Sequence, residues 1–275
     1  MNGGQITGRI LSEHGVRHIF TLCGGHISPI LTGCKGEGIR VIDVRNEATA
    51  VFAADVFSRL SGIPGVAAVT AGPGVTNTIT ALKNAQMAQS ALVLIGGATA
   101  TILKGRGSLQ DINQTALIKS AVKWHATAHR VKDIPEILNN AFFISQKGVP
   151  GPVFVELPVD LLYDEKIVRD WYGAKTGNEK SLKEKITQWY ISRHLNKLFS
   201  GKENIKNLSI VKPVIAKHIP TDLKKTLRFL KAAKNPVIVL GSQVVMNPEK
   251  IPGIVKALEL MRIPVFLSGM ARGIL

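Results

Sequence analysis

The sequence predicts an α/β protein: a parallel sheet flanked by helices, followed by a linker and a truncated second α/β domain. Three observations carry this. Apolar runs of strand length, such as residues 66–70 and 153–157, are continuous rather than alternating, as expected for strands buried on both faces. Such runs alternate with segments whose apolar residues recur at helical spacing, separated by short connections. Past residue 165 this alternation lapses into a basic, weakly periodic stretch and resumes near residue 221. The implied division is a first domain at 1–165, a basic linker with one helix at 166–220, and the start of a second α/β domain at 221–275.

The elements follow in order. Ile6, Ile10, Leu11 and His14 mark a first helix that ends at Gly15, and residues 16–22 read as the first strand. A short helix at 27–31 and a strand at 41–44 come next. Asn46 is a good N-cap for the following helix, on which Ala50, Val51, Ala54, Phe57 and Ser61 share a face. Glu47 therefore falls in its first turn, where unpaired N–H groups and the helix dipole favour an anion. Strands at 66–70 and 91–95 bracket a helix at 75–89, and a polar loop holds Lys104 to Gly107. A helix at 134–146 and a strand at 153–157, closed by Pro158, complete the first domain. The linker carries one helix at 182–199. Beyond it, Leu223, Leu227, Phe229 and Leu230 mark a helix, then come a strand at 236–240, a helix at 251–261 and a strand at 264–267. Two strands cannot bury both faces of a sheet, so this second domain is expected to be truncated.

Composition excludes several classes. With 45% hydrophobic residues the chain is not disordered. No apolar run is long enough to span a bilayer, and no leader pattern opens the sequence, so no membrane contact is expected from this segment. Two cysteines without C-x-x-C spacing suit a reducing, intracellular compartment, and no cluster has metal-ligand spacing, so no metal site is assigned. The net charge of +16 is local: residues 1–165 carry fourteen Lys/Arg against twelve Asp/Glu, whereas 166–234 carry seventeen against five. No aromatic pattern or recognisable module accompanies those lysines, so no nucleic-acid partner is expected.

In open parallel sheets ligands bind beyond the carboxyl ends of the strands. Four loops are expected there: Cys23-Gly24-Gly25-His26, Asn46-Glu47, the run from Ala71 through Gly72-Pro73-Gly74 to Asn77, and Gly96-Gly97. Glycines let a ligand approach the backbone, and helix N-termini offer free N–H groups. A dinucleotide reading of Gly72-Pro73-Gly74 is weak, because Asn77 replaces the third glycine and no acidic residue ends the following strand, and a simple tight turn is the other reading of this loop.

The motifs CGGHISP (23–29), RNEATAVFAADVFSRLSG (45–62), TAGPGVTN (70–77), GSLQDINQ (107–114) and GVPGPVFVELPVDLLY (148–163) resemble, in order and spacing, the pyrimidine-binding domain of thiamine-diphosphate enzymes of the acetolactate synthase type. WYISRHLNKLFSG (189–201) and GMARGIL (269–275) extend the likeness over nearly the whole chain. The resemblance implies thiamine diphosphate as cofactor and, for Glu47, a hydrogen bond to N1′ of its aminopyrimidine ring. A glutamate suits that place because it can exchange a proton with a weakly basic ring nitrogen in a dry crevice. Cys23 and Gly24 match positions whose backbone lies near the pyrimidine, with Cys23 standing where acetolactate synthases have proline. Pro73 and Asn77 match the loop beside the cofactor. Gln110 matches a glutamine that approaches the reacting centre, although Leu109 and Asp111 replace the usual phenylalanine and glutamate.

Gln114 and His26 are further polar residues of the same rim, read as structural hydrogen-bonding groups, and His125 and His129 as surface or strand-edge histidines. The family holds Mg2+ and the diphosphate on a C-terminal domain with a GDG motif, and no GDG occurs here. The chain by itself is therefore expected to lack turnover, and a homodimer is expected to complete the site. The implied activity is a carbon-carbon lyase cleaving a 2-hydroxyacyl-CoA to an aldehyde and formyl-CoA. The alternatives are condensation of 2-oxo acids, as in acetolactate synthase, and a non-catalytic nucleotide-binding or interaction module. Resemblance also places the whole protein on the cytosolic face of the endoplasmic reticulum membrane.

Overall fold

Successive side chains of a strand point to opposite faces, and the central strands use this to feed two apolar layers. Val66, Ala68, Val93, Ile95, Val153 and Val155 enter one layer, while Ala67, Val69, Leu92, Leu94 and Phe154 enter the other. The computed structural model describes residues 1–173, 181–201 and 223–275. In chain order its elements are α1 (Gly3–Glu13), β1 (His18–Leu22), α2 (Ser28–Gly36), β2 (Arg40–Asp43), α3 (Glu47–Ser61), β3 (Gly65–Val69), α4 (Pro73–Thr76), α5 (Ile79–Met87) and β4 (Leu92–Ala98). There follow α6 (Gln114–Ile118), β5 (Trp124–Thr127), α7 (Ile134–Gln146), β6 (Pro152–Pro158), α8 (Val159–Leu162), α9 (Glu165–Trp171) and α10 (Leu182–Phe199). The six strands pair in parallel in the order β2-β1-β3-β4-β6-β5. The expected parallel sheet with helices on both faces is thus the observed one.

Helices α1, α2 and α7 cover one face, with Ile6, Ile10, Ile30, Leu138 and Phe142 in its core, and α3 and α5 cover the other through Val51, Ala54 and Leu82. Helices α1 and α2 pack backbone against backbone. A Cβ built on Gly8 would lie 2.4 Å from the Gly33 carbonyl carbon, and one built on Gly33 would lie 2.2 Å from the Gly4 carbonyl oxygen. No side chain fits there without the helices separating.

The structure departs from the pattern reading in three places. The helix expected at 75–89 is two, α4 and α5, because the chain turns at Asn77 and Thr78. Helix α6, at five residues, is too short to show a period, and β5 is a four-residue edge strand with a mixed sequence, WHAT. The third departure lies in the basic stretch at 166–220, of which 174–180 and 202–220 are outside the described residues. Its described part joins the first core: Val168, Leu195, Leu198 and Phe199 are buried with α1 and α7. Charge dominates that composition, while burial is confined to one residue of α9 and the last turns of α10.

A buried carboxylate ties these helices down. Asp160, fully buried, accepts at Oδ2 from the Thr101 amide (2.9 Å), the Thr101 hydroxyl (2.6 Å) and the Tyr172 hydroxyl (2.9 Å). Since Thr101 donates its only proton to Asp160, its oxygen accepts from His194 Nε2 at 2.8 Å. Burial, reinforced by Asp160, pushes the Tyr172 phenol well above its ordinary range. Burial pulls the His194 imidazole down, opposed by Asp160 and assisted by Lys197.

The described residues divide into two compact units, Met1–Ser58 with Ile63 through α10, and Arg59–Gly62 with the remainder. In the second, α11 (Leu223–Ala232) and α12 (Ile251–Met261) accompany strands β7 (Ile238–Leu240) and β8 (Val265–Leu267), which pair in parallel. Val239 and Phe266 face each other in register and are 70% and 61% exposed.

Two outcomes follow from this packing. Gly8→Ala should lower stability by about 1–3 kcal/mol in urea unfolding. Gly36→Ala, on the same helix pair but with open space around it, should not lower it. The second concerns His194, whose folded value lies below the unfolded one of about 6.5. Its contribution is present above that value and is lost as pH falls through the folded value. The urea midpoint should therefore drop between about pH 7 and 5, and drop less in His194→Gln, whose amide can still donate to Thr101.

Candidate functional site

The strand order reverses between β1 and β3, and crevices at such switch points are where open α/β sheets bind ligands. The loops after β1, β2 and β3 meet at this edge. The β2 pairing runs on one residue past the strand, with the Val44 amide on the Thr21 carbonyl at 2.8 Å. Asn46 then caps α3, its Oδ1 accepting the Ala48 N–H at 2.9 Å. This places Glu47 in the first turn as expected, 8% exposed.

Glu47 is held from one side. Its Oε2 accepts from Asn77 Nδ2 at 3.0 Å, and Asn77 occupies the C-cap of α4, whose first residue is Pro73. Its Oε1 receives no hydrogen bond from the described residues, and next to it lies Gly74. A Cβ on Gly74 would stand 3.7 Å from Oε1 and 2.8 Å from Thr70 Cγ2. Thr70 also packs on Gly24, and its hydroxyl lies 3.2 Å from His26 Nδ1. Burial lowers the His26 pKa and favours the neutral imidazole. The site thus presents one oxygen of a nearly buried carboxylate, fixed by an amide donor, beside glycine backbone. A ring that offers an N–H or a protonatable nitrogen fits that oxygen.

The other expected residues are distributed around this centre. Gln110 abuts the glycine loop: a Cβ on Gly72 would lie 3.0 Å from the Gln110 Cβ and carbonyl oxygen, and Gly72 itself has φ +63°. Gln110 also has positive φ (61°), uncommon outside glycine. It borders a cavity of about 130 Å³ shared with Lys104, Gln114, Thr127, His129 and Glu156. Cys23 is exposed and lines a separate groove with Thr21, Leu31, Lys35 and Asp43. Its amide points at Asp43 Oδ1, 3.4 Å away. His125 is exposed on edge strand β5. Among the described residues no group of three His, Cys, Asp or Glu could hold a metal ion.

One expected loop is not a loop. Gly96 and Gly97 lie inside β4, paired with Glu156 and Leu157 of β6. A Cβ on Gly97 would lie 2.6 Å from His26 Cβ, and one on Gly96 2.6 Å from Phe154. They are glycines because neighbours press on the strand. Pattern reading also missed Thr70, Lys104 and Glu156 as parts of the rim. Glu156 had a legible signal, a lone charge inside the apolar run 152–158.

Residues 1–117 match the family model "Thiamine pyrophosphate enzyme, N-terminal TPP binding domain". That match covers 117 of the chain's 275 residues. Over its whole length it is 50% identical to the 2-hydroxyacyl-CoA lyase 2 of Danio rerio and 46% identical to that of Homo sapiens. It is 31% identical over 274 residues to the acetolactate synthase large subunit IlvG of Mycobacterium tuberculosis. The chain spans 44%, 43% and 44% of the length of these three relatives.

The Asn77 contact yields a check. Asn77→Ala removes the protein donor on Oε2 and should lower stability by about 1 kcal/mol in urea unfolding. Asn77→Asp removes the same donor and sets a second carboxylate against Glu47, so it should cost more than Asn77→Ala in the same measurement.

Proposed function

We propose that this chain supplies the pyrimidine-binding half of a thiamine-diphosphate site in a lyase that cleaves a 2-hydroxyacyl-CoA. In that reaction the bond between C1 and C2 breaks. C2 and its hydroxyl oxygen leave as an aldehyde, the hydroxyl proton is released, and C1 takes up a proton to become formyl-CoA. The observation that carries the reading is Glu47: nearly buried, held at Oε2 by Asn77 and open at Oε1 beside Gly74.

When bound, the cofactor supplies the electron sink for the carbon-carbon chemistry. The protein's share is binding and proton management. Glu47 Oε1 holds a proton at the ring nitrogen, and Asn77 keeps the carboxyl from rotating away. Backbone at Gly24, Pro73 and Gly74 gives the ring a close approach, and Gln110 borders the cavity beside the glycine loop. The preference for 2-hydroxyacyl-CoA rests on the 45–50% identity to relatives carrying that name. The more distant acetolactate synthases, at 31%, favour condensation of 2-oxo acids as the second reading. The remaining parts of the proposal are Mg2+ held with the diphosphate outside this chain, a second copy completing the site, and residence on the endoplasmic reticulum membrane.

The test uses a polypeptide that contains this chain and has the full length of its relatives. Given a 2-hydroxyacyl-CoA it should release an aldehyde and formyl-CoA, and Glu47→Gln should cut turnover by at least about 100-fold while its circular dichroism and unfolding midpoint stay in place. Acetolactate from pyruvate, with no cleavage of the acyl-CoA, would select the second reading. Unaltered turnover in Glu47→Gln would sink both.

A further inference from the structure

Glu156 is a buried carboxylate of the rim that the proposed chemistry leaves unused. It is 2% exposed at the carboxyl end of β6, between Gly96 of β4 and Thr127 of β5 in the strand register. A carboxylate in that position needs donors on all sides. Oε1 accepts from Lys104 Nζ (3.1 Å) and the Thr127 hydroxyl (3.2 Å), and Oε2 from Gln114 Nε2 (2.8 Å) and the Thr115 hydroxyl (3.5 Å).

The Gln114 contact has a directional consequence. Gln114, also 2% exposed, donates from Nε2 to the Gly97 carbonyl (2.8 Å) as well as to Glu156. A carboxylate and a carbonyl only accept, so together they dictate which end of the Gln114 amide is nitrogen. Its oxygen is thereby forced the other way, onto the Gly72 N–H at 3.0 Å. Gly72 precedes Pro73 in the loop whose far end, Asn77, holds Glu47, and it is also the residue against which Gln110 packs.

We propose that Glu156 is a positioning residue: acting through the Gln114 amide, it holds the Gly72 amide, and with it the glycine loop and Gln110, in the geometry the rim requires. Lys104, whose side chain is 55% exposed, balances the buried charge and takes no part in the relay. The proposal rests on the reading above only in naming the rim a thiamine-diphosphate site, and its test needs no cofactor.

The test is hydrogen exchange of individual amides in the 275-residue chain. Glu156→Leu should speed exchange at Gly72 by about tenfold or more, a local opening, while Ile19 and Ala67 in β1 and β3 keep their protection. Glu156→Gln should restore Gly72 protection to near the parent level, because a side-chain amide oxygen can still accept from Gln114. Lys104→Met should leave Gly72 protected. If Glu156→Leu does not fold, Glu156→Asp, which withdraws the carboxylate by one methylene, carries the same expectation at Gly72. The proposal is overturned by unchanged Gly72 exchange in the Leu or Asp variant, by a Gln variant as open at Gly72 as the Leu variant, or by equal acceleration at Gly72, Ile19 and Ala67.

Discussion

Strand β1 pairs in parallel with β2 on one side and β3 on the other, and the site depends on that arrangement. Crossovers between parallel strands are right-handed, so chain that moves outward from β1 to β2 must lay its helix on one face, and chain that moves back to β3 must lay its helix on the other. Helix α2 accordingly packs with α1 and α7, and α3 packs with α5. The loops that launch these helices diverge and leave a crevice at the carboxyl edge. Glu47 opens one of the helices, so its carboxyl comes to the crevice wall whatever its local propensities.

Three buried carboxylates lie along the carboxyl edge, and their surroundings separate their roles. Asp160 is fully buried and gathers three hydrogen bonds on one oxygen, which secures α9 and α10 to the loop after β4. Glu156 is saturated by donors and sets the polarity of a neighbouring amide. Glu47 alone of the three has an oxygen open toward the glycine loop with a single donor on the other. A buried carboxylate that gathers several protein donors is structural, because moving it would strand those donors without partners. Asp160 also has an oxygen, Oδ1, without a partner among the described residues, but it is sealed in the interior, whereas the open oxygen of Glu47 lies beside the glycine loop, where it can take a ligand's proton.

Much of this was legible from residue order. Strands β3 and β4 are continuous apolar runs, β6 is one broken only by Glu156, and each residue in them is buried. The Asn46 cap puts Glu47 one residue into its helix through a local hydrogen bond that needs no tertiary partner. The motif order carried the cofactor. Less legible were Gly96 and Gly97, because a glycine pair reads as a turn unless the neighbours are known. The side chains that press on them are those of His26, 71 residues from Gly97, and Phe154, 58 residues from Gly96.

The sequence by itself determined the fold class and the placement of Glu47, since apolar period, caps and glycine-bearing strand ends act over a few residues. Tertiary structure alone decided which groups surround that glutamate. Asn77 reaches it from 30 residues away, Gln114 reaches Gly72 from 42, and Glu156 reaches Gln114 from another 42. A hydrogen bond forms only within about 3 Å, and strand order brings those residues that close. Local pattern carries no record of strand order, so Glu156 read as an interruption in an apolar run until the sheet placed Gln114, Lys104 and Thr127 around it.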